Sequence, residues 1–115
     1  MDPKISLQQR PYELDDSIRS QAAIGLVVLA TDHVIEHEFR KILNLPGVGL
    51  YQSRILNEPS INAETLSAME SRLEDSVRVI LPGMPFDVIA YGCTSASMVI
   101  GPARVEALCQ NAKPG

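Results

Sequence analysis

A continuous apolar run, Ala23-Ile-Gly-Leu-Val-Val-Leu-Ala30, limits the folds open to this chain more than any other feature of its sequence. A run of this kind, without alternating polar positions, is typical of a parallel strand that is covered on both faces. Parallel strands are joined by long crossover connections, which are usually helices. We therefore expect an α/β fold that is built around this strand.

The rest of the chain alternates between predicted helices and predicted strands. Two further strands are expected over residues 48–55 and 86–91. Helices are expected to begin at Thr31 or Asp32, at Asn62 and at Gly101-Pro102. This order predicts a three-layer α/β fold with a short parallel sheet in the strand order 2-1-3, flanked by helices. Residues 1–22 are polar and unpatterned, so we interpret them as a leader that precedes the α/β part, residues 23–115.

Composition and charge exclude several classes of partner. The net charge is −4 and there is no basic stripe, so nucleic acid is not expected as a partner. No apolar run approaches the roughly 20 residues that cross a bilayer, and the N-terminus lacks a secretory apolar region. We therefore expect no membrane partner and a cytoplasmic location. The positions of the two cysteines, Cys93 at a predicted strand end and Cys109 late in a predicted helix, do not suggest a disulfide framework.

The segment that follows the third predicted strand carries the residues best suited to chemistry. Its apolar run stops at Gly92 and is followed directly by Cys93, Thr94 and Ser95. Ligands of open α/β sheets bind beyond the carboxyl ends of the strands, where helix N–H groups would stabilise a thiolate and an anion. The alternatives are that Cys93 is a small buried apolar residue and that Thr94 and Ser95 only cap the next helix.

Four segments together resemble the N-terminal half of the aspartate/glutamate racemase superfamily. They are Ala30-Thr-Asp-His-Val-Ile-Glu-His-Glu38, Tyr51-Gln-Ser-Arg-Ile55, Tyr91-Gly-Cys-Thr-Ser-Ala-Ser-Met-Val-Ile-Gly101 and Arg104-Val. The branch most similar to them contains maleate cis-trans isomerases and arylmalonate decarboxylases. The resemblance implies an α/β half-domain of a two-half enzyme that needs no cofactor, in which each half offers a cysteine to a carboxylate substrate. It also implies that Cys93 is the catalytic cysteine of this half, and that Thr94 and Ser95 help to hold the substrate carboxylate.

Two departures from the family pattern bear on the chemistry. Asp32 stands where the maleate isomerases place an asparagine, which argues against that particular activity. Arylmalonate decarboxylases carry glycine at the position of Cys93, so the cysteine favours isomerase or racemase chemistry over decarboxylation. The second cysteine of the family would lie beyond residue 115, and Cys109 does not replace it because it belongs to an apolar helical face.

A competing motif is the H-x-x-E-H pattern of His33 and His37, which matches an inverted zinc-protease signature. Catalytic zinc needs a third protein ligand and an open position, and no later residue stands out as that ligand. We therefore interpret these histidines as part of a solvated helix face and expect no metal. Asp32 is interpreted as a helix cap, a substrate contact or both. Arg54 is expected either to meet a carboxylate or to lie on the surface.

The sequence thus predicts a cofactor-independent isomerase or racemase that acts on a small carboxylic acid through the Cys93 thiolate. The alternatives are a non-catalytic fragment, a carboxylate-binding domain, or an arylmalonate-type decarboxylase. The expected partners are a small carboxylate substrate and either a second copy of the chain or a C-terminal half.

Overall fold

Three parallel strands form the sheet of this protein, in a computed structural model that describes residues 10–13, 15, 17–60 and 62–113. The strand order is β2-β1-β3, which confirms the predicted order 2-1-3. The strands are β1 (Ala22–Leu29), β2 (Val48–Ile55) and β3 (Val88–Tyr91). β1 pairs with β2 over its whole length and with β3 from Ile24 to Val27. The apolar run that dominates the sequence is therefore the central strand.

Four α-helices and one 3-10 turn complete the described part of the chain. The 3-10 turn is Ser17–Arg19, and the helices are α1 (Ile35–Ile42), α2 (Ala63–Arg78), α3 (Thr94–Ile100) and α4 (Pro102–Ala112). None of the helices in the described residues is long and apolar enough to cross a membrane. The alternation of strands and helices confirms the predicted α/β class.

The main core lies between the sheet and helices α2, α3 and α4. Its buried members are Val27 and Ile55 of the sheet, Met69, Leu73, Val77, Ala96 and Leu108 of the helices, and Ile80, which follows the end of α2. Full burial of an aliphatic side chain of this size contributes about 1.5–3 kcal/mol. The α2 side of the sheet therefore holds most of the apolar stabilisation of the fold.

Helix α1 lies on the opposite face of the sheet. Leu26 and Val28 alternate with Val27 along β1, and both are fully buried. A Cβ atom at Gly92 would lie 3.1 Å from Ile35 Cδ1 of α1 and 3.3 Å from the Val27 carbonyl oxygen. Because a side chain at position 92 would crowd both groups, glycine allows α1 to approach the end of β3 closely.

Side chains bond to backbone amides at the start of two helices, and the cap predicted at Asn62 is confirmed. The Asn62 side chain accepts a hydrogen bond from the Thr65 amide at 2.9 Å, and the Thr65 hydroxyl accepts one from the Asn62 amide at 3.1 Å. This reciprocal pair is a capping box. At the start of α1, Asp32 Oδ1 accepts hydrogen bonds from the amides of Val34 and Ile35 at 2.8 and 2.9 Å. Asp32 thus satisfies amides at the start of α1, although the N-cap position itself falls on Val34, two residues further on.

The third strand is two residues shorter than predicted, and Phe86 and Asp87 form its entry beside β1, where the Asp87 amide donates to the Ala23 carbonyl at 2.9 Å. The Asp87 carboxylate accepts a hydrogen bond from the Ala23 amide at 2.7 Å. Phe86 packs edge-on against Tyr51, with 5.8 Å between the ring centroids. These contacts fasten the entry to β3 before the regular ladder begins.

The end of the predicted leader packs against the α/β part of the chain. Arg19 of the 3-10 turn donates a hydrogen bond to the Pro85 carbonyl, and its guanidinium lies 5.0 Å from the centroid of the Phe86 ring. Residues 1–9, 14 and 16 of the leader, and residues 114–115, lie outside the described residues. The division of the chain at residue 22 therefore stays a prediction.

Candidate functional site

The carboxyl ends of the three strands gather most of the predicted site residues at one edge of the sheet. Asp32 follows β1, Arg54 is the penultimate residue of β2, and Cys93 follows β3 after one glycine. Parallel pairing brings the three strand ends to the same edge. In open α/β sheets this edge is where ligands bind.

Cys93 lies between the core and a small cavity at that edge. It is the N-cap residue of α3, with extended backbone angles (φ −147°, ψ 96°), and its side chain makes no capping hydrogen bond. It is half-buried, and it packs against the main core. It also lines a cavity of about 90 Å³. One side of Cys93 therefore packs against the core, and another side borders the cavity.

The remaining walls of this cavity carry several polar residues, although most of the surface that they present to it is apolar. Cys93 shares the cavity with Ser95 of α3 and with three residues of the β2–α2 loop, Asn57, Glu58 and Ser60. The other lining residues are Leu29, Thr65 and Met69. Glu58 is paired with Arg72, at 3.1 Å between its Oε1 and Arg72 Nη2. The structure thus brings Cys93 together with Ser95, and adds loop residues to which the sequence analysis assigned no role. Their position directly after β2 was the signal that could have found them.

Thr94 faces a different space from its neighbour Ser95. It lines a groove of about 800 Å³ that runs along β3 and is bounded by α3 and α4. Consecutive residues of a helix point about 100° apart, which separates the two side chains. Cys109 lines this groove, and not the small cavity. The groove is the larger space, but it lies along the outer side of β3 rather than at the strand ends.

Arg54 is occupied by the loop that connects β1 to α1. Its guanidinium donates hydrogen bonds to the carbonyl oxygens of Leu29, Ala30 and Asp32 at 3.2, 3.4 and 2.5 Å. It also lies 3.7 Å from a carboxylate oxygen of Glu36. Neither Arg54 nor Asp32 lines the cavity beside Cys93. Asp32 stays with its capping amides, and these two hydrogen bonds hold the pKa of its carboxyl below the ordinary value.

The hydroxyl of Tyr91, the last residue of β3, is buried and has no hydrogen-bond partner among the described residues. Burial raises the pKa of this phenol, and the negative charge of Cys93 and Cys109 as thiolates raises it further. Burial also raises the pKa of the Cys109 thiol. The sequence analysis placed Tyr91 in the third strand and gave it no functional role, because nothing in the local sequence pattern indicates that its hydroxyl is enclosed.

The two histidines of the H-x-x-E-H pattern are exposed, and the glutamate between them is engaged by cations. Glu36 lies 3.0 Å from Arg40 in an i,i+4 pair and 3.7 Å from Arg54. Within the part of the chain that the structure describes, no group of three His, Cys, Asp or Glu side chains is arranged to hold a metal ion. Glu36 and His37 lie on α1, whereas His33 precedes the first helical residue, Ile35, so the prediction that one solvated helix face carries all three residues is wrong for His33.

Comparisons of the chain with protein-family models, curated proteins and solved structures found no match. The case for a function therefore rests on the residues and their geometry.

Proposed function

We propose that this chain is half of a cofactor-independent isomerase or racemase that acts on a small carboxylic acid through the Cys93 thiolate. The observation that carries the proposal is the placement of Cys93 on a small cavity beyond the carboxyl end of a parallel strand, with serine and asparagine side chains on its walls. Ligands of open α/β sheets occupy this place.

Three of the residues on the walls of the cavity suit a carboxylate. Ser95 and Ser60 offer hydroxyl groups, and Asn57 offers an amide. The Thr65 hydroxyl is already engaged, since it donates to the Ser60 carbonyl. The cavity volume of about 90 Å³ corresponds to roughly three water molecules at about 30 Å³ each. Such a space accepts the carboxylate group of a small acid, while the rest of the acid extends outward past the Cys93 sulfur.

Two reaction cycles fit a thiolate in this position. In a racemase cycle the thiolate removes the proton α to the carboxylate, and a second acid returns a proton to the opposite face. In a maleate-type cycle the thiolate adds to the alkene carbon, the new single bond rotates, and the thiolate leaves with the electron pair. Both cycles place negative charge on the acid, which the hydroxyl and amide donors stabilise.

The opposing group must come from outside the described residues. Cys109 lines the groove on the other side of α3, and burial favours its protonated form. A second half or a second copy would supply the group that faces Cys93 across the substrate. We accordingly expect no turnover of maleate, aspartate or hydantoins by the chain alone.

Competition between an alkylating agent and a dicarboxylate tests the proposal. In a Cys109→Ser background, iodoacetamide labels Cys93, and malonate is added as the competitor. We expect malonate to protect Cys93 in a saturable manner, and Ser95→Ala to weaken that protection severalfold. Ser71→Ala removes the same hydroxyl from an exposed position of α2, and it should leave protection unchanged. Labelling that is indifferent to malonate would overturn the proposal.

The second candidate is a carboxylate-binding domain without catalysis, which the partial packing of Cys93 into the core favours. The same labelling experiment separates the two. A binding domain would show malonate protection, while Cys93 itself would react no faster than an ordinary half-buried thiol. Protection together with rapid alkylation supports a nucleophilic thiolate.

A further inference from the structure

The enclosed hydroxyl of Tyr91 has no partner that accounts for its burial. Its oxygen is shielded from solvent and has no partner at normal hydrogen-bond geometry among the described residues, while the Cys93 side chain lies near enough to interact with the phenol. Nearly all buried polar atoms in folded proteins have a hydrogen-bond partner, and the exceptions ask for an explanation. A phenylalanine would fill the same space without leaving a polar atom unsatisfied.

Backbone geometry places Tyr91 and Cys93 on the same face of the sheet. Tyr91 is opposite Val27 in the parallel ladder, and Val27 belongs to the core on the α2 side. The ladder continues one residue further, since the Gly92 amide donates to the Val27 carbonyl at 2.8 Å. Cys93 is still extended (φ −147°, ψ 96°), so side chains two residues apart share a face. Tyr91 and Cys93 accordingly pack against the same core.

Few ionisable side chains lie near Tyr91 and Cys93. Cys109 approaches from α4, and Glu58, with its partner Arg72, approaches from the β2–α2 loop and α2. Helix α3 carries no ionisable side chain. Because burial raises the pKa of the phenol, Tyr91 keeps its proton near neutral pH and is available as a donor.

We infer that Tyr91 is a positioning residue for Cys93, whose phenol donates a hydrogen bond to the Cys93 sulfur once the thiol has lost its proton. This inference rests on the proposed function, in which Cys93 acts as a thiolate. A neutral thiol is a weak acceptor, so the hydroxyl gains little while the sulfur is protonated. A thiolate accepts a charge-assisted bond, which is about twice as strong as a neutral one. The thiol proton goes to solvent, and the phenol proton stays on the phenol.

The pH dependence of Cys93 alkylation tests the inference. In the Cys109→Ser background, the iodoacetamide rate is followed from pH 6 to pH 10 with and without Tyr91→Phe. We expect Tyr91→Phe to move the midpoint of this profile to higher pH by about one unit, and to slow labelling near neutral pH by about tenfold. Tyr12→Phe removes a hydroxyl from an exposed tyrosine and should leave the profile unchanged.

A purely structural tyrosine gives a different result. A substitution at such a residue would change the urea midpoint of unfolding and leave the alkylation profile unchanged, and this outcome would overturn the inference.

If Tyr91→Phe does not fold, the phenol absorbance of the wild-type chain decides the question. Converting Cys93 to its thiolate should shift the Tyr91 band, and an unchanged band rejects the hydrogen bond. If malonate protects Cys93 but the profile does not shift, Tyr91 has no positioning role and the proposed function stands. If the profile shifts but malonate does not protect, the Tyr91–Cys93 hydrogen bond stands and carboxylate binding at Cys93 is rejected.

Discussion

At the scale of single residues, the two cysteines occupy different environments although both are half-buried. Cys93 opens to the cavity at the strand ends, and Cys109 lies on α4 beside the groove along β3. Burial raises the pKa of Cys109, so its thiol is protonated over a wider pH range than usual. Thiolates, and not thiols, are the nucleophiles in alkylation.

We expect iodoacetamide to label Cys93 faster than Cys109 at pH 7 in the folded chain, because the Cys109 thiol is held in its protonated form. Mass spectrometry of peptides from a time course gives both rates in one experiment. The rates should become similar in urea, where both cysteines are solvated. Equal rates in the folded protein would contradict this prediction.

At the scale of secondary-structure elements, the start of α1 depends on charge. Asp32 caps this helix with one carboxylate oxygen, and Arg54 of β2 binds three carbonyl oxygens of the same loop. The amides that bond to the carboxylate lower the pKa of Asp32 in the folded state. A carboxyl whose pKa is lower in the folded than in the unfolded state contributes stability above its unfolded value.

We therefore expect the contribution of Asp32 to be fully present near neutral pH and to disappear as the pH falls below its ordinary value of 3.8. Urea unfolding of the wild type and of Asp32→Ala should show a less stable variant at pH 7 and a smaller difference near pH 3. Asp32→Asn keeps a capping oxygen without the titration, so it serves as the control. A difference that is independent of pH would show that the charge does not contribute.

At the scale of the whole molecule, the outer side of β3 pairs with no strand among the described residues. Val88 of this strand is 54% exposed and Met98 of the adjoining helix is 76% exposed. Both line the groove of about 800 Å³. Open strand edges with apolar side chains tend to pair with other chains.

We expect the chain to self-associate through this edge, which light scattering over a range of concentrations measures. Val88→Lys places a charge on the edge strand and should shift the population toward monomer. Val34→Lys puts the same charge on an exposed valine outside the groove, and it should leave association unchanged. A stable monomer at all concentrations would refute the prediction, as would equal effects of the two variants.

The amino-acid sequence by itself determined the existence and order of the strands and the capping of α2, but not where β3 begins. Continuous apolar runs mark strands that are buried on both faces, and Asn62 carries its capping chemistry in its own side chain and that of Thr65, three residues away. Only the tertiary structure decided which polar side chains meet. It turned Thr94 and Ser95 toward different spaces, and it bound Arg54 to the β1–α1 loop. These outcomes depend on helix rotation and on contacts between residues far apart in the chain, which no local pattern encodes.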